Sequence, residues 1–286
     1  MTYQVEEPTQ ILTPDERRYS SYRRKDIYGI CNICQCKKRL TFDHVPPAGC
    51  GNNTAVDVRP MLGAMTRGTR EIENTIFQNG LKYRTICKEC NQFMGSRYDP
   101  ALIGFANSIA SALNPGLTLP RYLTVNTRPS AIMRSVLGHL LAAKIETDSS
   151  LFDNEIRPCI LDENVSVPDN YQLHYWIHPY ETTVVMRDSM TIDPTKSPNG
   201  QFLFFQLLKF FPLGFWVLDR DHVISPPKFG NFNGIHPSDY RDITIDLHAV
   251  READFPEAPE GMRATLVGET GSKAAMARRR PKRLRS

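Results

Sequence analysis

Two Cys-x-x-Cys turns, Cys31-Asn-Ile-Cys34 and Cys87-Lys-Glu-Cys90, constrain this chain more than any other feature of its sequence. Each turn offers two thiolates, and four thiolates complete a closed tetrahedral shell around zinc. An ion held that way pins together two segments that lie far apart along the chain. The stretch between them must then close a loop on the metal. One structural zinc per chain, with no open coordination position, is expected at Cys31, Cys34, Cys87 and Cys90.

Seven cysteines are an odd number, which argues against a complete disulfide framework. Cys36, Cys50 and Cys159 are left over as reduced thiols, as in a reducing cytoplasm. Cys36 competes with Cys34 for the first turn, and the two-residue spacing of the second turn favours Cys34. The sequence has no apolar run of about 18 residues that would span a membrane. Residues 1–8 lack the basic and apolar segments of a secretory signal. A cytoplasmic protein without membrane contact is expected.

Between the turns lies Leu40-Thr-Phe-Asp43-His44-Val-Pro46-Pro47, and Asn91 directly follows the last cysteine. Closing the metal loop would set Asp43 and His44 against Asn91. This compound pattern resembles the HNH endonucleases, the treble-clef or ββα-metal nucleases, in the form that carries a four-cysteine zinc site. In that family a strand ends in Asp-His before a Pro-containing turn, and Cys-x-x-Cys is followed by His or Asn at the head of a helix. Gln92-Phe-Met-Gly95 would continue that helix. The family's middle Asn, which braces backbone, falls shortly before the second knuckle. Position 82 is Lys here, and Asn79 or Asn74 would serve after a shift. A loop insertion over residues 49–83 accounts for the longer separation and adds little closure entropy.

The resemblance implies a metal-dependent endonuclease that hydrolyses DNA phosphodiester bonds, with RNA left open as a substrate. It makes His44 the general base on water. It makes Asp43 and Asn91 oxygen ligands of a catalytic Mg²⁺ or Mn²⁺ ion. It also implies 5′-phosphate and 3′-hydroxyl products, and a setting such as restriction or phage defence. The rival reading is a non-catalytic zinc module that binds nucleic acid or a protein partner. A redox Cys-x-x-Cys protein is disfavoured, because two turns occur and neither has a thioredoxin-like surrounding.

Charge is distributed unevenly. Residues 1–100 carry 15 Lys/Arg against 11 Asp/Glu, residues 101–270 carry 13 against 20, and residues 271–286 carry 7 against none. Phosphate affinity is therefore expected from the first hundred residues and the tail. Arg278, Arg279, Arg280, Lys282, Arg283 and Arg285 read as a nucleic-acid-binding tail, disordered by itself over residues 272–286.

Four stretches follow: a polar, basic extension over 1–24, the nuclease module over 25–100, an α+β domain over 101–255, and a linker with the basic tail over 256–286. In the third stretch, Asp99 and Pro100 open a helix with Leu102, Phe105, Ile109 and Leu113 on one face. A second helix over 129–144 carries Ile132, Val136, Leu137, Leu140 and Leu141. Strands are expected over 171–178, 182–187, 215–219 and 243–248, while the apolar run over 201–211 fits a strand or a buried helix equally by periodicity. The predicted class is α+β: a zinc-stabilised ββα-metal module plus a domain of helices and antiparallel sheet. That domain is the expected surface for a homodimer or a partner protein. His139 reads as a surface or packed helix histidine rather than a ligand. His174, His178, Asp219, Asp221 and His222 read as strand faces and a polar turn rather than a second site.

Overall fold

The first sheet grows from strand β2 (Lys37–His44), flanked by the antiparallel strands β1 (Tyr28–Ile30) and β5 (Lys82–Cys87). In this computed structural model, residues 26–60, 75–114, 119–192, 202–218, 226–232, 234–257, 266–267 and 274–280 are described. Strand β5 runs straight into helix α1 (Lys88–Arg97), with Cys87 as both the last strand residue and the N-cap. Helix α2 (Asp99–Leu113) follows after Tyr98 and carries Pro100 in its first turn, where no N–H is needed. Leu102, Phe105 and Ile109 face inward at the expected helical spacing.

Helix α3 (Pro129–Ala142) is buried along its whole length. Its sequence is apolar or small on nearly every side, as a central helix requires. It packs on α1, α2, β5 and α4 (Leu151–Leu161). Helix α1 crosses it closely at Gly138, where an added Cβ would lie 2.5 Å from the Met94 sulfur. The carbonyls that its last turn leaves unpaired are taken from outside the helix. The Arg187 guanidinium donates to Leu140 O, the Asn32 amide to Leu141 O at 2.8 Å, and the Thr85 hydroxyl to Ala142 O. Asn32 lies inside the first cysteine turn, so that turn caps the central helix.

The large sheet is antiparallel throughout. It contains β3 (Val56–Pro60), β4 (Thr75–Phe77), β7 (Gln172–Ile177), β8 (Thr182–Ile192), β9 (Phe202–Phe210), β10 (Leu213–Leu218) and β13 (Ala275–Arg279), in the order β4-β3-β13-β8-β9-β10-β7. The short strand β12 (Leu266–Val267) pairs with β8. A separate ribbon joins β6 (Tyr122–Thr127) to β11 (Arg241–Asp246). Strands β7, β8, β10 and β11 realise the expected strands with shifted ends, and β9 shows the apolar run over 201–211 to be a strand rather than a buried helix. The structure is mixed α and β, and one continuous apolar core reaches from Cys31 to Ala277. No described helix is long and apolar enough to cross a membrane.

Two expectations change. The stretch over residues 49–83 is not merely an inserted loop: it supplies β3 and β4 to the large sheet, which therefore crosses the expected boundary at residue 100. The basic tail is not disordered from residue 272, because Ala275–Arg279 is an interior strand between β3 and β8. Its small residues Ala275 and Ala277 alternate into the core, while Arg278 and Arg279 stay exposed. Arg279 pairs with Glu181 at 3.6 Å and Arg280 with Asp57 at 3.3 Å, so these cations already have acidic neighbours. Lys282, Arg283 and Arg285, like the extension over residues 1–24, lie outside the described residues. Ending the chain after residue 273 should lower the melting temperature by roughly 10 °C or more, at about 3 °C per kcal/mol lost. Ending it after residue 280 should leave the melt unchanged, and thermal denaturation of both truncations checks this.

Candidate metal centre and active site

The first cysteine turn sits between β1 and β2. It is closed by Cys31 N–H donating to Cys36 O at 3.0 Å and by Gln35 in the left-handed region at φ 57°. The second turn bridges the end of β5 and the first turn of α1. Pairing Leu40 of β2 with Cys87 of β5 brings the two turns together. The four Sγ atoms of Cys31, Cys34, Cys87 and Cys90 lie within 4.8 Å of one another, and Cys34 and Cys87 are 3.9 Å apart. A zinc tetrahedron with Zn–S bonds of about 2.3 Å has sulfur–sulfur edges of about 3.8 Å, so this cluster can hold a metal ion such as zinc. Cys36 stands outside the cluster, exposed, with its thiol 3.4 Å from Cys34 O.

The cluster's electrostatics ask for a cation. A hydrogen bond from Cys90 draws the Cys31 thiol down to about 5, against burial and with help from nearby backbone N–H groups. Burial pushes Cys34 up and Cys87 up to about 12. Cys90 is raised by its bond to Cys31 and by burial. One thiolate forms readily and three thiols resist, and a dication bound among the four sulfurs would favour the thiolate form of all of them.

Consecutive strand residues face opposite ways, and this separates Asp43 from His44 at the end of β2. Asp43 turns inward and is only 5% exposed. His44 turns outward opposite Lys82, and its Nε2–H donates to the Asn79 carbonyl at 3.0 Å. That bond fixes the tautomer and leaves Nδ1 as the lone-pair nitrogen. Burial and the Lys82 charge hold the His44 pKa below its ordinary value, which keeps the ring neutral at neutral pH. Of the two candidate asparagines, Asn79 meets the histidine through its backbone carbonyl. Asn74 lies outside the described residues. Gly80 beside it adopts φ 71°, and an added Cβ would lie 2.0 Å from Asn52 O.

Asn91, near the head of α1, donates from Nδ2 to Phe42 O at 3.0 Å and to Thr41 Oγ1 at 3.3 Å. These bonds strap the helix across the strand irregularity at Thr41/Phe42, one residue before Asp43, and leave Oδ1 unused by them. On the outer face, Phe42 is 46% exposed with the Arg84 guanidinium 5.6 Å from its ring centre.

Two further groups escape sequence reasoning. Buried Asn52 donates to Pro46 O at 2.7 Å and Leu81 O at 3.0 Å, and accepts from Leu81 N–H at 2.7 Å. It locks the loop after His44 to the segment that presents Asn79. His139, at the centre of α3, is fully buried between two acids, with Nδ1 3.0 Å from Asp43 Oδ2 and Nε2 2.9 Å from Asp99 Oδ1. Burial opposes a charge there, but Asp99 and Asp43 outweigh it and raise the His139 pKa to about 10. Asp99 in turn is held below its ordinary value by His139 and by the Ser135 hydroxyl at 2.7 Å, again against burial. His139 is therefore a packed histidine, but one joined directly to the Asp43 carboxylate. His174 and His178 lie elsewhere, bonded to Pro226 O and Thr182 O, and Asp219, Asp221 and His222 are outside the described residues. No protein-family model, curated protein or solved structure matches this chain.

Proposed function

We propose that this chain is a metal-dependent endonuclease of the HNH type that hydrolyses DNA phosphodiester bonds. The observation that carries the reading is the end of β2. There a half-buried, neutral His44 is fixed through one ring nitrogen, the adjacent Asp43 carboxylate turns inward, and Asn91, on the helix that starts at the second cysteine turn, bonds the same strand at Phe42 O. Phosphodiester hydrolysis needs a base for the attacking water, and His44 Nδ1 has the lone pair for it. Asp43 Oδ1 and Asn91 Oδ1 are the hard oxygen atoms offered to a divalent ion. When bound, Mg²⁺ or Mn²⁺ supplies charge stabilisation at the phosphate and the departing 3′ oxygen. Lys82, Arg84 and the exposed Phe42 ring share the outer face with His44, giving cations for phosphates and an aromatic plane for a base. The zinc holds the scaffold and takes no part in the chemistry.

The direct test is supercoiled plasmid incubated with Mg²⁺, beside the same reaction in EDTA and with the His44→Ala protein. Nicked or linear product from the wild type alone is expected. Plasmid that binds but stays supercoiled in every arm would leave a zinc module that binds nucleic acid without cutting it.

A further inference from the structure

We infer that His139, backed by Asp99 and Ser135, is the positioning residue that aims the Asp43 carboxylate, so that helices α2 and α3 are an integral part of the active site. This rests on the nuclease reading above and names what holds its proposed metal ligand in place.

The geometry leaves little freedom. Both neighbours of the imidazole are carboxylate oxygens, at 3.0 and 2.9 Å, so both ring nitrogens must donate to satisfy them. Ser135, one helical turn before His139, donates to the same Asp99 oxygen and fixes the far end of the chain of bonds. Asp43 is thereby held by Oδ2, which stops rotation of its carboxylate and leaves Oδ1 for a ligand. The support is rigid: α3 is wholly buried, and its last carbonyls are taken by Arg187, Asn32 and Thr85.

Stability alone gives no reason for this arrangement. Apolar residues of similar volume in place of a buried ionic triad are often neutral or stabilising. The interior also holds the buried Lys144–Asp153–Arg187 cluster and the Lys209–Glu257 pair, and what sets the Asp43–His139–Asp99 chain apart is that it ends on the residue next to His44, which points to a task at the strand end. Outer partners that orient metal ligands perform such a task, and removing one typically lowers metal affinity or activity by about 10- to 100-fold.

The test is Mn²⁺ binding to the purified full-length chain by calorimetry, without nucleic acid, with zinc content, thermal melts and plasmid cleavage measured alongside. His139→Leu should keep its zinc and a cooperative melt, while Mn²⁺ affinity falls about 10- to 100-fold and cleavage needs correspondingly more metal. His139→Asn, whose side-chain amide can donate near the former Nδ1 position, should recover part of the loss. A residue that only packed would lower the melt and leave the Mn²⁺ isotherm unchanged. Wild-type Mn²⁺ affinity in folded His139→Leu overturns the positioning role, while cleavage by the wild type would still uphold the nuclease reading. A wild-type chain that takes up no Mn²⁺ and cuts nothing overturns both. If His139→Leu does not fold, Asp99→Asn reads the same chain of bonds from its far end. A several-fold loss of Mn²⁺ affinity is expected there, and an unchanged isotherm overturns the role.

Discussion

Removing the metal from the cysteine cluster should unfold the helical core along with the two turns. A structural zinc contributes about 10–16 kcal/mol of apparent binding free energy in small zinc modules at pH 7, and that binding energy acts as folding energy. Whole domains are stable by only about 5–15 kcal/mol, so the ion can decide whether this one folds. Here the loss would spread along named bonds. Asn32, inside the first turn, donates to Leu141 O and Lys144 O and accepts from Arg157 at 2.7 Å. Thr85 on β5 holds Ala142 O. Without the ion, the C-terminal end of α3 loses these caps and buried carbonyls are left unpaired, each costing about 1–3 kcal/mol. Purified protein should contain about one zinc per chain, and a strong chelator or Cys87→Ser should abolish the cooperative melt. Cys36→Ser should change neither zinc content nor melting. A metal-free chain that melts where the holoprotein does would remove the ion from the list of what holds this fold together.

The parts of the site legible in sequence are those written in short range. The cysteine turns declare themselves by spacing, but the expectation that Asp43 and His44 are both set against Asn91 overlooked strand alternation, which turns Asp43 inward and His44 outward. Asn79 was one of two candidates, and the bond it makes to His44 uses its backbone carbonyl, which residue identity does not announce. The link from Asp43 to His139 spans 96 residues, and a single His on an apolar helix carries no mark of the carboxylates that will meet it. Asn52 is similar: a lone asparagine in a loop, important because three backbone groups converge on it.

Among secondary elements, α4 was not anticipated although it carries a readable start signal. Ser150 and Asp153 form a complete capping box, a spacing visible in the sequence. Strand β13 was hidden by its own charge. The run Ala-Ala-Met-Ala before Arg278 offers only small buried side chains, so composition favoured disorder where neighbouring strands supply the hydrogen bonds.

On the proposed mechanism, substitutions at the end of β2 and the head of α1 should fail in two distinguishable ways, by loss of the base or by loss of a metal ligand. His44→Ala removes the proton acceptor and should cut cleavage by about 100- to 10,000-fold while metal and DNA still bind. The side chain is half-buried and its single bond goes to a surface-side carbonyl, so zinc and fold should survive. Asn91→Ala removes an oxygen ligand and the strap to Phe42 O, a bond worth about 1 kcal/mol. Its defect should be partly relieved by high Mg²⁺, or by Mn²⁺, which binds oxygen sites more readily. Asp43 needs a different substitution. Asp43→Ala would leave the buried His139 facing a void, and breaking such a pair typically costs about 3–5 kcal/mol. Asp43→Asn keeps the volume and an acceptor for His139, so it separates loss of the ligand charge from loss of structure. It should fold, keep zinc and cut only at raised metal concentration. Cleavage across a Mg²⁺ and Mn²⁺ titration, beside zinc content and melting curves, separates loss of the base from loss of a ligand. If His44→Ala cuts at the wild-type rate, the base lies elsewhere and the nuclease assignment of this strand end fails, whatever the other two variants do.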